Sequence, residues 1–361
     1  MIDKTVFTLG ELFCGPGGLA YGALHASIEG HPEYKIVHKW ANDIDPDTCD
    51  TYRKNICSDD PESVICGNIK TLDLRSLGPI DALAFGFPCN DFSIVGEQKG
   101  FDGKFGPLYT YGIKALQLYQ PLWFLAENVG GLRSANDGKA FAQIQDDMIA
   151  AGYRIYPHLY QFEKYGIPQA MHRIIIVGIR NDLPYEYKVP STEPYKGIDV
   201  SCRTAIENPP IQPDALNNER TKQSQTVIER LKYIKPGENA FTADIPEDLK
   251  LHIKGATFSQ TYKRLDPDRP AYTVTGSGGG GSHIYHYSEN RALTNRERAR
   301  LQTFPDDYSF CGNKESVRKQ IGMAVPVRGA QIIFEAILKT FAGIPYTWEV
   351  PYIGSRSNPD Q

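Results

Sequence analysis

The sequence predicts an α/β fold, in which a largely parallel β-sheet carries helices on both faces and is joined to a smaller, irregular second domain. In the first half of the chain, short apolar runs alternate with helix-like segments, as they do in strand–helix–strand units of a parallel sheet. From Leu183 to about Ser282 this alternation gives way to a stretch rich in proline and polar residues.

The first predicted strand, residues 5–9, is followed by a glycine-rich turn and by a helix-like segment that begins at Leu19. In the second half, Thr294 and Glu297 match a capping box at the start of a helix. An amphipathic helix is predicted from about residue 329 to 341. Apolar runs mark the further predicted strands at residues 36–41, 80–85, 122–126, 154–156 and 173–178.

The composition excludes several classes of protein. With 361 residues, 41% hydrophobic and 23% charged, the chain resembles an ordinary globular protein large enough for two domains. No stretch approaches the roughly 18 consecutive apolar residues of a membrane span, and the start lacks the layout of a signal peptide. Seven cysteines without a Cys-x-x-Cys pair fit a reducing compartment. We therefore expect a cytoplasmic protein with no membrane contact and no metal.

The formal net charge of −4 gives no support to nucleic-acid binding. A DNA-binding enzyme of this charge must gather its basic residues locally, so any such function has to be argued from individual sites.

The segment Glu-Leu-Phe-Cys-Gly-Pro-Gly-Gly, residues 11–18, directly follows the first strand. Glycines at this place let the backbone approach a ligand at the carboxyl edge of the sheet, where open α/β folds bind cofactors. The segment lacks the Gly-x-Gly-x-x-Gly of dinucleotide binding. It is interpreted either as a nucleotide-like ligand site or as a tight structural turn.

Carboxylates follow the second strand. Asp43 is placed to accept hydrogen bonds from both hydroxyls of a ribose, and the apolar Ile44 can cover an adenine face. The alternative is an Asx turn or a helix cap, which is the better interpretation for Asp45. A third loop with Asn68 and Ile69 offers possible adenine contacts.

The decisive segment is Gly-Phe-Pro-Cys-Asn-Asp-Phe-Ser, residues 86–93, after a strongly apolar strand. It resembles the Pro-Cys motif of the cytosine-5 DNA methyltransferases of bacterial restriction-modification systems. The resemblance extends in order along nearly the whole chain. Besides the segments above, it includes residues 106–108, 127–129, 169–173, 291–305 and 322–326.

The resemblance implies a Rossmann-like sheet of the S-adenosylmethionine-dependent methyltransferases. It assigns residues 1–184 and 313–361 to a catalytic, cofactor-binding domain and residues 185–312 to a target-recognition domain with a hinge. It also implies S-adenosyl-L-methionine as cofactor and double-stranded DNA as partner of a monomeric, nucleoid-associated enzyme, with a restriction endonuclease acting separately. The implied cofactor residues are Leu12, Phe13, Gly15, Gly17, Gly18, Asp43, Ile44, Asn68, Ile69, Pro88, Leu108, Met323 and Ala324.

The chemistry explains why Cys89 is the implied nucleophile. Carbon 5 of cytosine becomes reactive towards a sulfonium methyl group only after a nucleophile has added at carbon 6, and a thiolate is the best protein nucleophile for this addition. A free cysteine with a pKa of about 8.5 is only a few per cent ionised at neutral pH, a deficit of roughly 2 kcal/mol. The other six cysteines are interpreted as inert buried thiols.

Two further residues match the family's catalytic set. Glu127 corresponds to the acid that donates to N3 of the ring, which requires a proton that burial would help it to keep. The alternative interpretation of Glu127 is a carboxylate at a strand end that caps the following turn. The neighbouring Asn128 is expected to fix the conformation of the loop. Arg173 corresponds to the arginine that binds the cytosine O2, with a surface arginine as the alternative.

The predicted DNA contacts are less specific. Residues 94–106 resemble the family's active-site loop, which closes over DNA after the target base has been flipped out. Val95 and Gln98 are candidates to fill the resulting gap, and Ser93 to bind a phosphate. Arginines of the hinge motif, residues 294–305, either meet phosphates or pair with carboxylates. Gln169 and Arg264 complete the predicted DNA-binding set.

The pattern departs from the family's at four positions. Asn90 stands where glutamine is usual, and Asn68 stands where aspartate is usual. Met171 replaces the first arginine of Gln-x-Arg-x-Arg, and Met323 replaces the asparagine of Gly-Asn-x-Val-Pro. None is a predicted catalytic residue, so these changes bear on affinity for DNA and cofactor.

Two rival functions remain open on the sequence. One is an RNA cytosine-5 methyltransferase, although the roughly 100-residue variable segment favours DNA because major-groove readout needs a dedicated domain. The other is a non-catalytic DNA-binding relative.

Overall fold

The computed structural model describes residues 4–88, 108–251, 259–278 and 280–353. The strands, in chain order, are β1 Val6–Leu12, β2 Lys35–Asp43, β3 Val64–Cys66, β4 Ala82–Gly86, β5 Trp123–Val129, β6 Tyr153–Gln161, β7 Gln169–Ala170, β8 His172–Arg180, β9 Val189–Pro190, β10 Ala271–Tyr272 and β11 Trp348–Glu349. The α-helices are α1 Gly18–Leu24, α2 Pro46–Ile56, α3 Tyr109–Tyr119, α4 Lys139–Ala150, α5 Cys202–Glu207, α6 Gln225–Leu231, α7 Asn295–Leu301, α8 Lys314–Met323 and α9 Val327–Ala342.

A seven-stranded sheet with the order β3-β2-β1-β4-β5-β8-β6 forms the frame of the protein. The six strands expected from apolar runs are confirmed as β1, β2, β4, β5, β6 and β8. All neighbouring pairs from β3 to β5 are parallel, whereas β8 is antiparallel to both β5 and β6. The short connection explains this reversal, because β6 ends at Gln161 and β8 begins at His172, and a parallel crossover needs a longer connection.

Helices cover both faces of the sheet, as expected. Neighbouring residues of a strand point to opposite faces, and β5 shows the consequence. The buried Phe124 packs in one apolar cluster with Leu116 of α3 and Ile144 of α4. The preceding Trp123 points the other way, and its ring centroid lies 5.9 Å from that of Phe334 in α9.

The two predicted features of the helical C-terminal part are confirmed. The hydroxyl of Thr294 accepts a hydrogen bond from the backbone N–H of Glu297 at 3.1 Å, and the Glu297 carboxylate accepts one from the Thr294 N–H at 2.8 Å, which is a complete capping box. The predicted last helix is α9. The helical stretch Lys314–Ala342 is apolar and long enough to cross a membrane, but 78% of its most apolar window is buried within the protein. Packing therefore accounts for its composition.

The chain divides into two compact units. The first contains residues 1–161, 172–194 and 328–361, and the second contains residues 162–171 and 195–327. These bounds differ from the predicted domains in three segments: residues 185–194 join the first unit, and residues 162–171 and 313–327 join the second. Strand pairing gives the reason, because β9 pairs with β11 within the first unit and β7 pairs with β10 within the second.

A glycine in β8 is required by the packing of the sheet. Gly178 is paired with Phe124, and a Cβ atom at Gly178 would lie 2.0 Å from Cε1 of that ring. We expect Gly178→Ala to lower the free energy of unfolding by about 1–3 kcal/mol, because the core must shift to admit the methyl group. Urea unfolding measures this loss. Gly131→Ala is the control, since no atom of the described residues lies within 4 Å of its Cβ position. Equal stability losses for both variants would contradict the packing argument.

Candidate active site

The loops that follow β1, β2, β4 and β5 leave the sheet at one edge, because these strands are neighbours and run parallel. This edge is where open α/β sheets bind their ligands. The predicted cofactor residues in the loops after β1, β2 and β4 therefore lie at the same edge of the sheet as Glu127, which is near the end of β5.

The loop after β1 has an unusual backbone. Phe13, Gly15 and Gly17 have φ angles of 55°, 56° and 92°, all in the left-handed region that side chains other than glycine rarely adopt. For Phe13 this conformation is strained, and such strain is concentrated at ligand sites. Among the described residues, no atom lies within 4 Å of the Cβ position of Gly15, so this part of the chain leaves open space above it. Leu12, in contrast, is fully buried in the core, so its side chain is not available to a ligand.

Asp43 ties the first two loops together. One carboxylate oxygen accepts a hydrogen bond from the backbone N–H of Gly15 at 2.9 Å, and the other accepts one from the N–H of Asp45 at 3.0 Å. Burial raises the pKa of Asp43, and the backbone hydrogen bonds oppose that shift. A carboxylate has about four acceptor positions, so each oxygen can still accept another hydrogen bond. The Asx-turn and ligand-binding interpretations of Asp43 are therefore compatible.

The neighbours of Asp43 differ in their surroundings, and the predicted cap at Asp45 is confirmed. Asp45 caps α2 by accepting from the Thr48 N–H at 3.0 Å. Ile44 is 65% exposed, an unusual position for a large apolar side chain at a sheet edge. In the third loop Asn68 is exposed and its carbonyl accepts from the Lys70 N–H at 3.0 Å, whereas Ile69 is buried.

Glu127 lies near the carboxyl end of β5 and is paired with Gly86 of β4. A Cβ atom at position 86 would lie 3.2 Å from a Glu127 carboxylate oxygen, so the glycine leaves room for the acid. Arg173 enters from β8, and its Nε lies 2.9 Å from Oε1 of Glu127. Both side chains are 13% exposed. Burial raises the pKa of Glu127, and the adjacent Arg173 guanidinium only partly opposes that shift.

Asn128 fixes the segment that leads to the predicted nucleophile, as expected. Its amide donates to the backbone carbonyl of Phe87 at 3.0 Å, and its own carbonyl accepts from the Val129 N–H at 2.8 Å. This bond joins the ends of β4 and β5 two residues before Cys89. Pro88 is half-buried and Leu108 is buried. Cys89, Asn90, Ser93, Val95 and Gln98 lie outside the described residues.

Two of the predicted DNA contacts have another role in the structure. Gln169 is fully buried, and its amide donates to the carbonyl oxygens of Leu301 and Gln302 at 3.2 and 3.0 Å. Arg264 is 4% exposed, and its guanidinium donates to backbone carbonyls including those of Leu231 and His286. The hydrogen bonds that the Gln169 amide and both terminal nitrogens of Arg264 donate to the protein's own acceptors contradict direct contact of either side chain with DNA, although Nε of Arg264 has no partner among the described residues. Both instead hold the second unit together.

The sequence left two interpretations for the arginines of the hinge motif, contact with phosphates or pairing with carboxylates. In the structure Arg296, Arg300 and the preceding Arg291 bind partners within the protein. Arg291 lies 2.7 Å from a Glu297 oxygen, and Arg300 lies 2.6 Å from an Asp306 oxygen. Arg296 is fully buried and donates to three backbone carbonyls. The structure supports pairing with carboxylates for Arg291 and Arg300, whereas Arg296 is bound by backbone carbonyls and fits neither interpretation.

The family departures and the remaining cofactor residues lie in the second unit or outside the described residues, apart from Asn68. Met171 is fully buried, which suits its apolar side chain. Met323, at the end of α8, is 51% exposed, and Ala324 after it is buried. Their contact with a cofactor stays a prediction.

Burial was predicted for the six cysteines other than Cys89, and it is confirmed for four of them. Cys14, Cys49, Cys57 and Cys202 are buried. For Cys66 and Cys311 the prediction of burial is wrong: Cys66 is exposed at the end of the edge strand β3, and Cys311 is partly exposed in a loop.

One feature of the site was not expected from the sequence. Glu11, in β1, is buried and accepts a hydrogen bond from the Tyr52 hydroxyl at 3.0 Å. Burial raises the pKa of Glu11 to about 8, with the Tyr52 bond opposing the shift. An acid inside an otherwise apolar strand was the available signal. The pair joins β1 to α2 directly behind the glycine-rich loop.

Comparison with known proteins agrees with this geometry. The family model for C-5 cytosine-specific DNA methylases matches residues 7–339 of the chain. The chain belongs to this family. Type II methyltransferase M.BbvI of Brevibacillus brevis is 58% identical over 351 residues, covering 94% of this chain and 93% of that protein. Type II methyltransferase M.NgoFVII of Neisseria gonorrhoeae is 38% identical over 344 residues, covering 92% and 86%.

Solved structures show the same fold for the C-5 cytosine-specific DNA methylase. A structure described as a DNA modification methyltransferase encoded within an E. coli prophage has a TM-score of 0.70 at 22% identity, covering 93% of this chain and 99% of that chain. The S. pombe Dnmt2 methyltransferase has a TM-score of 0.61 at 15% identity, covering 94% and 100%. The predicted Rossmann-like methyltransferase fold is thereby confirmed.

The Glu127–Arg173 pair makes the stability of this methylase depend on pH in a defined direction. Arg173→Met removes the guanidinium that lowers the pKa of Glu127, so this pKa rises further above its ordinary value of 4.5. The folded state then holds a proton that the unfolded state releases. Stability is therefore full below the unfolded pKa and falls as the pH rises towards the folded pKa.

Urea unfolding between about pH 5 and 8 measures this dependence. We expect a steeper loss of stability with rising pH in Arg173→Met than in the wild type. The double variant Arg173→Met/Glu127→Gln is the control, because it has no carboxyl group to titrate at this position. Identical slopes in the single and double variants would show that Glu127 does not titrate in this range.

Proposed function

We propose that this protein is a DNA cytosine-5 methyltransferase that transfers the methyl group of S-adenosyl-L-methionine to a cytosine flipped out of double-stranded DNA, with Cys89 as nucleophile. The observation that carries the proposal is the buried Glu127–Arg173 pair, held 2.9 Å apart at the end of β5. Asn128 ties this strand end to Phe87, two residues before Cys89. An acid, a cation and a thiol are the groups that this reaction requires.

The cofactor residues of the first unit fit S-adenosylmethionine. The Asp43 oxygens each have capacity for a ribose hydroxyl, exposed Ile44 offers an apolar surface for an adenine, and the space above Gly15 is open. When bound, the cofactor supplies an electrophilic methyl group on a sulfonium. The residues of the chain carry out the remaining steps, which are addition to C6 and stabilisation of the charge on the ring.

The nucleophilic step is assigned to Cys89. Its thiolate adds to C6 of the cytosine, forming an S–C6 bond, and the electron pair of the C5–C6 bond becomes available at C5. Ionising the thiol at neutral pH costs roughly 2 kcal/mol. The target carbon is otherwise hidden in the duplex, so the base must first be flipped out, at a cost of a few kcal/mol.

Glu127 and Arg173 stabilise the charge that this addition produces. A protonated Glu127 donates to N3, which requires the raised pKa that burial provides. Arg173 uses Nε for Glu127 and Nη1 for the His172 carbonyl, and its Nη2 is assigned to the cytosine O2. The bond to O2 strengthens as the ring gains electron density. After methyl transfer, a water molecule takes the proton from C5, the electron pair of that C–H bond restores the C5–C6 double bond, the S–C6 bond breaks to release the thiolate, and the proton on N3 returns to Glu127.

The wider role follows from the family. We propose that the second unit recognises the target sequence, that the enzyme acts as a monomer in the cytoplasm, and that methylation protects host DNA from a separate restriction endonuclease. The proteins named above as Type II methyltransferases support this assignment.

Cys89→Ser is expected to abolish methyl transfer to duplex DNA, because an alcohol at this position is a far weaker nucleophile. The measurement is incorporation of tritium-labelled methyl groups into genomic DNA, with tRNA as the alternative acceptor. Cys311→Ser is the control, since this partly exposed cysteine lies in the other unit.

DNA that contains 5-fluorocytosine then tests the covalent step. Because fluorine cannot leave as the C5 proton does, the active enzyme should stay attached to the DNA in the presence of cofactor. Full activity of Cys89→Ser would refute the mechanism, methylation of tRNA alone would refute the DNA assignment, and a wild-type protein without adduct or transfer would favour a non-catalytic relative.

Asp43→Asn is expected to weaken cofactor binding by about 10- to 100-fold, because the amide retains one acceptor oxygen where the carboxylate has two. Isothermal titration with S-adenosylmethionine measures the change. Asp45→Asn is the matched control, since asparagine caps a helix as well as aspartate. An equal loss of cofactor affinity in the two variants would contradict the proposal that Asp43 binds the ribose.

A further inference from the structure

Helix α7 carries three arginines at alternate positions, and two of them are fully partnered. The guanidinium of Arg296 donates to the carbonyls of Leu216, Pro305 and Tyr308 at 2.7–2.9 Å. Arg300 forms an ion pair with Asp306 at 2.6 Å. Both cations therefore have the partners that buried charges require.

Arg298, between them, has no such partners. Its side chain is 1% exposed, and within the described residues its guanidinium makes one hydrogen bond, a long one of 3.4 Å from Nη1 to the carbonyl of Thr275. Its Nε and Nη2 are buried and have no hydrogen-bond partner in the described part of the chain. Two unsatisfied donors on a buried guanidinium are costly, so this geometry needs an explanation.

A second guanidinium lies beside it. Arg318, from α8, is 9% exposed and makes a hydrogen bond of 3.4 Å to the carbonyl of Gly276. Burial, together with the positive charge of Arg318, lowers the pKa of Arg298 to about 10. Within the described ranges, no carboxylate forms an ion pair with either arginine, and the nearby Glu297 is engaged by Arg291. Two adjacent cations thus share a low-dielectric site without a counter-charge.

The loop above the two arginines is shaped to lie directly on them. A Cβ atom at Gly278 would fall 2.1 Å from Nε of Arg318, and one at Gly322 would fall 1.9 Å from the backbone nitrogen of Gly276. Only glycines permit this approach. At the top of the loop, Thr275 and Ser277 are exposed, and their hydroxyl oxygens lie 2.7 Å apart.

We propose that Arg298 and Arg318, with the hydroxyls of Thr275 and Ser277, form a binding site for one phosphodiester group of duplex DNA. The proposal rests on the proposed function, since it assumes a DNA substrate. A phosphodiester brings one negative charge and several acceptor oxygens, which match two guanidiniums without counter-charge and two surface hydroxyls. Such a contact positions the enzyme on the backbone and is independent of base sequence.

The salt dependence of DNA binding tests the site. Each phosphate contact contributes a slope of about −0.9 to the logarithm of the binding constant against the logarithm of salt concentration. We expect Arg318→Gln and Arg298→Gln each to reduce the slope by up to about this amount, and to weaken binding equally for target and random duplexes. Arg203→Gln is the control, because Arg203 is exposed and already paired with Asp268 at 2.9 Å. Unchanged slopes in both site variants would overturn the proposal.

Thermal melting gives an independent readout in the absence of DNA. Arg298→Met should raise the melting temperature by a few degrees, because it removes a buried charge without a counter-charge. Arg300→Met should lower it, since its removal leaves Asp306 unpaired. Inorganic phosphate should stabilise the wild type more than Arg298→Met at matched ionic strength.

The outcomes separate this site from the proposed function. Binding and melting do not require methyl transfer, so loss of the salt slope in Arg318→Gln would support the site even in a catalytically inactive protein. Stabilisation by inorganic phosphate without any change in the DNA slope would identify a free-anion site and overturn the DNA assignment. A lower melting temperature of Arg298→Met would show that the arginine is structural and would also overturn it.

Discussion

The register between β4 and β5 is the constraint on which the candidate active site depends. It sets Glu127 opposite Gly86, and the missing side chain at position 86 is what lets the carboxylate occupy the strand end. The amide of Asn128 then fastens the chain at Phe87, so the approach to Cys89 starts from a fixed point. A slip of one residue would turn Glu127 to the other face of the sheet and separate it from Arg173.

Arg173 reaches Glu127 because β8 runs against its neighbours. In the antiparallel pairing, Val129 lies opposite Arg173, so the first residues of β8 meet the last residues of β5. A parallel β8 would bring its carboxyl end to this edge and its first residues to the opposite one. The reversed strand thus shapes the candidate site, because it brings a cation to the edge of the sheet at which the parallel strands end.

The sequence predicts the sheet well, for a physical reason. Buried strands are apolar runs, and residues at their carboxyl ends converge at one edge of a parallel sheet, so the position of Asp43 follows from local pattern. The position of Glu127 at a strand end follows in the same way, but its proposed catalytic role came from the resemblance of its motif to the family's. Direct contacts of polar side chains could not be predicted in this way. Gln169 and Arg264 lie in family motifs, yet both are buried and bound to backbone carbonyls. Nothing in the local sequence distinguishes a side chain that binds a ligand from one that binds the protein's own backbone.

The arginines of α7 are a second case in which the contacts of side chains could not be predicted from the local sequence but are visible in the structure. In the sequence Asn-Arg-Glu-Arg-Ala-Arg-Leu the three cations look equivalent, although a helix turns about 100° per residue and points them in different directions. Arg296 meets backbone carbonyls and Arg300 meets a carboxylate, so both charges are compensated within the fold. Arg298 interacts with the charge of another arginine, and two of its donors have no acceptor in the described part of the chain. A buried uncompensated charge lowers stability, so a bound phosphodiester that supplies the missing negative charge would remove this cost.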